Sequence, residues 1–258
     1  MAHKGFILLI LSLLVIVFLG FWGCKKETTT VTATVKDTII NGQRILTFSG
    51  YSWLVENSAD MAEGPGPNYF SDSKENVWFD QDKKLHLKIT NRNNKWYCAK
   101  ITMIESLSYG KYVFYVDSRV DNFDKNVVAG LFSYKTDFQE IDIEFSRWGT
   151  AGINNAQYSV QPSNLAGNKN AFNMNLTGTQ STHWFNWQKN QIDFASIQGH
   201  SSSLPSAANI LQQWHYNGSY IPTDSNETVK MNLWLSQGIP PSDRQEAEMV
   251  ISRFEFVP

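Results

Sequence analysis

Residues 140–145 read Glu-Ile-Asp-Ile-Glu-Phe, a strict alternation of acidic and apolar side chains. Such alternation marks a strand with one buried face, because successive side chains leave a pleated backbone on opposite sides. Ile141, Ile143 and Phe145 are therefore expected to enter a core, and Glu140, Asp142 and Glu144 to share the other face. The two-residue beat recurs outward in both directions: Arg44 to Phe48, Lys84 to Thr90 (KLHLKIT), Lys111 to Val116 (KYVFYV), Ala156 to Val160 and Met249 to Val257. Turn-forming clusters such as Glu63-Gly64-Pro65-Gly66-Pro67-Asn68 and Asn217-Gly218-Ser219 separate them. The best helical candidate, Ala207 to Trp214, is short and follows Pro205, and no twelve-residue stretch carries a helical stripe. Many short strands divided by turns predict an all-β sandwich or barrel.

Composition restricts the partner. In 258 residues, 22 Lys and Arg stand against 24 Asp and Glu, so no broad positive field exists to hold a phosphate backbone, and nucleic acid is excluded as the expected ligand. Aromatic residues make up 14% of the chain and include nine Trp, which suits a flat, neutral, stackable partner. The only cysteines are Cys24 and Cys98, too few for a disulfide scaffold or a Cys-based zinc site.

The amino terminus reads as a targeting segment. From Phe6 to Trp22 every residue is apolar except Ser12 and Gly20, and Lys4 precedes the run, the pattern of an export signal. Phe21-Trp22-Gly23-Cys24 resembles a bacterial lipoprotein signal, with cleavage before a lipidated Cys24. An uncleaved membrane anchor is the other reading, since the run is just long enough to span. Either way the remainder lies outside the cytoplasmic membrane. The expected organisation is a signal over 1–23, a lipidated, Thr-rich tether over 24–37 and one folded domain over 38–258, monomeric and anchored in the bacterial cell envelope.

Three carboxyl groups at alternate strand positions, about 6.8 Å apart per step, disfavour one another's ionisation. A protonated acid beside an ionised carboxylate is the pair that glycoside hydrolysis needs. An acidic strand is also compatible with a solvated sheet face or with a cation site. The neighbourhood decides: around the strand lie GPGPNYFSD at 64–72, ENVWFDQDKKLHLKIT at 75–90, WYCAKI at 96–101, YGKYVFYV at 109–116, GLFSY at 130–134, HWFNW at 183–187 and MNLWL at 231–235. In order and spacing these blocks resemble glycoside hydrolase family 16, the family of bacterial lichenases and laminarinases, from about Phe48 to Phe256. EIDIEF fits that family's E-x-D-x-E signature. The resemblance implies a jelly-roll sandwich of two antiparallel sheets, concanavalin A-like, with substrate across the concave one. It makes Glu140 the nucleophile, Asp142 its assistant and Glu144 the acid/base, in an endo-acting, retaining hydrolase of β-linked glucan or galactan.

For substrate contacts it points to Asn68 and Tyr69 in a loop over one end of the cleft, Phe138 two residues before Glu140, Gln157 on the following strand, and His183 and Trp187 in HWFNW. Arg147 and Trp148 directly after the acidic strand could wall the cleft, while Trp78, Trp96 and Trp234 are read as core. No cofactor or metal is expected; the closing ISRFEFVP carries no Asp for the structural calcium frequent in that family. A non-catalytic glycan-binding lipoprotein on the same fold and a transglycosylase using the same triad are the rival readings.

Overall fold

The structure, a computed structural model, describes residues 34–258 together with Met1. The leader, Cys24 and most of the expected tether lie outside the described residues. Seventeen strands follow one another: β1 (Lys36–Ile40), β2 (Gln43–Phe48), β3 (Tyr51–Val55), β4 (Tyr69–Phe70), β5 (Val77–Phe79), β6 (Leu85–Arg92), β7 (Lys95–Ser106), β8 (Gly110–Val116), β9 (Val127–Thr136), β10 (Gln139–Phe145), β11 (Ala156–Val160), β12 (Lys169–Phe172), β13 (Ser181–Gln188), β14 (Gln191–Gln198), β15 (Ile210–Tyr216), β16 (Thr228–Leu235) and β17 (Ala247–Val257). Among the described residues no helix is long and apolar enough to cross a membrane.

Sixteen of these strands form two antiparallel sheets, and the short β4 pairs in parallel with β7. One runs β1-β2-β3-β7-β16-β9-β10-β11-β12. The other runs β5-β6-β17-β8-β13-β14-β15. They meet where the start of β7 pairs with the end of β6. The fold is the expected jelly-roll sandwich.

The inner faces interlock through aromatic rings contributed by both sheets. Tyr158 of β11 stacks on Phe194 of β14 at 5.0 Å, Trp53 of β3 meets the edge of Phe254 of β17 at 5.6 Å, and Phe145 of β10 meets His183 of β13 at 4.6 Å. Each such pair adds about 0.5–1.5 kcal/mol to what area burial supplies. Ile141, Ile143 and Phe145 are fully buried, as their alternation requires, so the core fixes which face β10 presents outward.

Two boundaries differ from expectation. Lys36 and Asp37, placed in the tether by sequence, belong to β1: the Asp37 carboxylate accepts hydrogen bonds at 2.9 and 2.8 Å from Arg44, a buried guanidinium that also donates to the Val77 carbonyl at 2.8 Å. The helical candidate Ala207 to Trp214 is a 3-10 turn over Ala207–Asn209 followed by β15. There Trp214 faces Phe194 across the ladder and stacks on it at 5.1 Å, and this pairing outweighs the weak local helical preference. Cys98 is a buried thiol, its pKa pushed up to about 12 by burial.

Candidate active site

Ladder registers arrange the outer face of the larger sheet in rows across the strands. One row is Gln157, Glu144, Gly130, Asn232 and Lys100 on β11, β10, β9, β16 and β7. The next is Ser159, Asp142, Phe132, Lys230 and Thr102. The third brings Glu140 beside Tyr134 and Thr228. The three acids thus occupy successive rows on one strand of a floor five strands wide, about 4.8 Å per strand.

Each acid is held differently. Asp142 is sunk between its neighbours, and one of its oxygens accepts hydrogen bonds from Ser159 Oγ at 2.8 Å and Gln161 Nε2 at 3.1 Å. A hydrogen bond between Asp142 and Glu140 opposes the rise of Glu140 and adds to that of Asp142. Glu144 Oε2 accepts from Gln157 Nε2 at 2.8 Å. Burial pushes the Glu140 carboxyl up to about 7, with the Glu144 charge adding to the rise and the Asp142 hydrogen bond opposing it. Burial likewise pushes Glu144 up to about 8, helped by the Asp142 charge and opposed by Gln157. Asp142 moves upward too, first through burial and then through Glu140. Burial thus raises all three carboxyls, and both glutamates titrate near neutral pH.

The rise at Glu144 has a consequence for stability. In the unfolded chain Glu144 titrates near about 4.3, and in the folded chain near about 8. Between those values the folded state binds the proton more tightly, so stability falls as pH rises through the window. Glu144→Gln is therefore expected to be more stable than the parent near pH 8, by on the order of 1–3 kcal/mol or several degrees in Tm. The two chains should melt together near pH 4, and thermal melts at both pH values check this.

Several residues singled out from sequence lie elsewhere. His183 is fully buried in the core between the Oγ atoms of Ser196 (2.8 Å) and Ser181 (2.9 Å), its pKa pushed down to about 3 by burial. Trp187 is fully buried too; its indole N–H donates to the Pro222 carbonyl at 3.1 Å and its ring meets Tyr109 at 4.8 Å. Both side chains take the inner face of β13, so neither reaches the groove. Phe138 lies in the turn between β9 and β10, 72% exposed. Because Gln139 pairs with Thr136 and Glu140 with Tyr134, a register shift separates that turn from the acidic face. Asn68 is a buried structural amide: its side chain donates to the carbonyls of Pro65 (2.8 Å) and Leu235 (2.9 Å) and accepts from the Leu235 N–H at 3.3 Å, fastening its loop to the end of β16. Tyr69 packs toward Tyr97, 6.4 Å away, under the Lys95 ammonium. Of the six, Gln157 alone touches the triad.

The wall residues divide. Arg147 turns inward and donates to the carbonyls of Phe123 and Asp121 at 2.7 and 3.1 Å. Trp148, held at a φ of 50°, meets the edge of Trp234 at 5.9 Å above the groove end of β16. A left-handed backbone is uncommon for so bulky a residue, and it aims the indole across the strand end. Asn232, Lys230, Lys100 and Tyr134 were not singled out from sequence, although the first two alternate toward the groove in the run Thr228–Leu235. Asn232 is buried, and its Oδ1 has no hydrogen-bond partner among the described residues. Lys100 is paired with Glu63 at 2.9 Å. Among the described residues no group of three or more His, Cys, Asp or Glu side chains converges as metal ligands.

The two sheets form a jelly-roll sandwich, the fold of solved family 16 glycoside hydrolase structures. The structure is similar to the β-glucanase of Bacillus licheniformis, with a TM-score of 0.59 and 16% identity over 88% of this chain and 99% of that one. It is similar to a family 16 glycosyl hydrolase of Mycobacterium smegmatis, with a TM-score of 0.56 and 14% identity over 78% of this chain and 89% of that one. It also matches a Mycobacterium tuberculosis protein described as an immunostimulatory antigen and pseudo beta-1,3-glucanase, with a TM-score of 0.59 and 17% identity over 80% of this chain and 91% of that one. No family model and no curated protein matches the chain.

Proposed function

We propose that the chain is a family 16 glycoside hydrolase that cleaves β-linked polysaccharide of the glucan or galactan class, endo-acting and with retention. The observation that carries this is the alignment of Glu140, Asp142 and Glu144 in successive rows on the outer face of the larger sheet of that fold, with both glutamates raised by burial. Glu140 attacks the anomeric carbon while Glu144 gives its proton to the departing oxygen, and a glycosyl ester on Glu140 results. Glu144, now ionised, takes a proton from water as its oxygen attacks the same carbon, and Glu140 leaves as the carboxylate. Asp142 donates its proton as a hydrogen bond to Glu140 and so orients the attacking oxygen.

A panel of soluble β-glucans, agar and carrageenan tests the proposal, with reducing ends as the readout and the anomer of the first product followed by proton NMR. Release of an oligosaccharide mixture in the β-configuration is expected. Inverted product removes the nucleophile role of Glu140, and failure to cleave any of them removes the hydrolase reading. A second reading, glycan capture without cleavage, is favoured by the likeness to a structure described as a pseudo beta-1,3-glucanase. Binding of one of these polymers with no product released would establish it. The proposal also places the chain in a bacterial envelope through a lipid on Cys24, and the mass of the mature amino-terminal peptide checks that assignment.

A further inference from the structure

The outer face of the larger sheet carries a cation, Lys230, that belongs to no ion pair among the described residues. Lys230 stands in the middle row, between Phe132 of β9 and Thr102 of β7, with Asp142 one strand beyond Phe132. Its ammonium does not stay in that row. It lies 4.5 Å from the centroid of the Tyr134 ring, and Tyr134 is the ladder partner of Glu140. The side chain therefore leans along β16 toward the Glu140 row and away from the row that holds Glu144 and Asn232. Lys230 is half-buried.

A part-buried ammonium without a counter-ion is costly to keep, so its charge needs an account. The ionisable groups around it are Glu140 on β10, Tyr134 on β9, Lys100 on β7, and Glu56 and Glu63 from the segment that follows β3. Glu63 is occupied by Lys100 at 2.9 Å, and Glu56 accepts from the Thr102 hydroxyl at 2.8 Å. Asp137, in the β9–β10 turn, accepts from the Tyr134 hydroxyl at 3.0 Å, and Asp142 and Glu144 lie on the same strand as Glu140. Glu140 is left as the group in need of positive charge, because burial and two neighbouring acids disfavour its ionised form. The Lys230 charge acts on it in the opposite sense, while the cation that favours ionised Glu144 is Lys169 on the far side of β10, an exposed residue of β12.

We infer that Lys230 is a positioning residue of the catalytic machinery: its ammonium favours the ionised form of Glu140 over that of Glu144. The acids already differ in their hydrogen bonds, Glu140 to Asp142 and Glu144 to Gln157, and a fixed cation nearer one end of the strand adds to that asymmetry. The inference rests on the hydrolase reading for its mechanistic meaning, but the electrostatic claim can be tested without turnover.

The test is a pH titration of the full chain, carbon-13 labelled at the Glu side-chain carboxyl, with the Glu140 resonance assigned by its loss in Glu140→Gln. Lys230→Met is expected to raise the apparent pKa of Glu140 by about 0.5–1 unit and to move Glu144 less. Lys230→Arg keeps the Glu140 titration in place, and Lys230→Gln provides the same comparison should the Met variant fail to fold. An unmoved Glu140 titration in a folded, uncharged variant overturns the inference. A chain that cleaves nothing, yet whose Glu140 titration moves, overturns the hydrolase reading and leaves the electrostatic role standing. Where the chain does cleave, the acid limb of kcat/KM shifts upward in pH with the same variant. A merely structural lysine would lower the whole profile and leave that limb where it was.

Discussion

Glu140→Gln is expected to lower kcat/KM on the polysaccharide the parent cleaves by about a thousandfold or more, on the order of 4 kcal/mol of transition-state stabilisation. Gln is nearly isosteric with Glu, so the groove keeps its shape and only the nucleophilic oxygen anion is removed. The hydrogen bond from Asp142 finds an amide oxygen in place of a carboxylate, and polysaccharide binding in an affinity gel should survive. Fold and stability should survive as well, since replacing a buried carboxyl that resists ionisation relieves the crowding of the triad. The outcome that sinks the assignment is a folded variant that retains most of the parent's activity. Glu144→Gln serves as a partner experiment, because substrates with a good leaving group need no proton from Glu144 and should lose far less activity than native polymer.

Trp187→Ala is expected to destabilise the domain by about 3–5 kcal/mol, read as a fall in the denaturant midpoint with an unchanged slope. The side chain is fully buried, packs edge-on against Tyr109 and satisfies the Pro222 carbonyl, so truncation leaves both a void and an unpaired acceptor. For the molecules that remain folded, KM should stay close to that of the parent. The opposite result, unaltered stability with a raised KM, would return Trp187 to the groove.

That contrast shows what the sequence could carry. Alternation in 140–145 is readable because each apolar residue is flanked by acids, so the two faces differ in kind. In β13 both faces are largely buried, and His183, Phe185 and Trp187 are correctly predicted to point the same way while nothing local says which way. The face is decided by β8 and β14, which pair on either side. Phe138 fails for another reason: the two-residue period stops at the turn, and a one-residue shift in the β9 ladder is invisible without the partner strand. Asn68 was read as a groove residue, yet its partner is Leu235, 167 positions away, a contact no spacing rule reaches. The groove cations and Asn232 depend on the same kind of knowledge, since only the order β10-β9-β16-β7 brings Lys230 and Lys100 beside the acids. Thr228, Lys230 and Asn232, polar at alternate positions in the run TVKMNLWL, were the available signal for Lys230 and Asn232.

Gly130 sits between Glu144 and Asn232 in its row, and a Cβ at that position would lie 2.5 Å from Asn232 Oδ1. The Asn232 amide therefore occupies the space over Gly130, beside Glu144, that a larger residue would claim. Any side chain at residue 130 would displace that amide and take up that space, without altering a charge or a catalytic group. The room beside Glu144 and the charge on it are thereby set by different atoms, and each can change without the other.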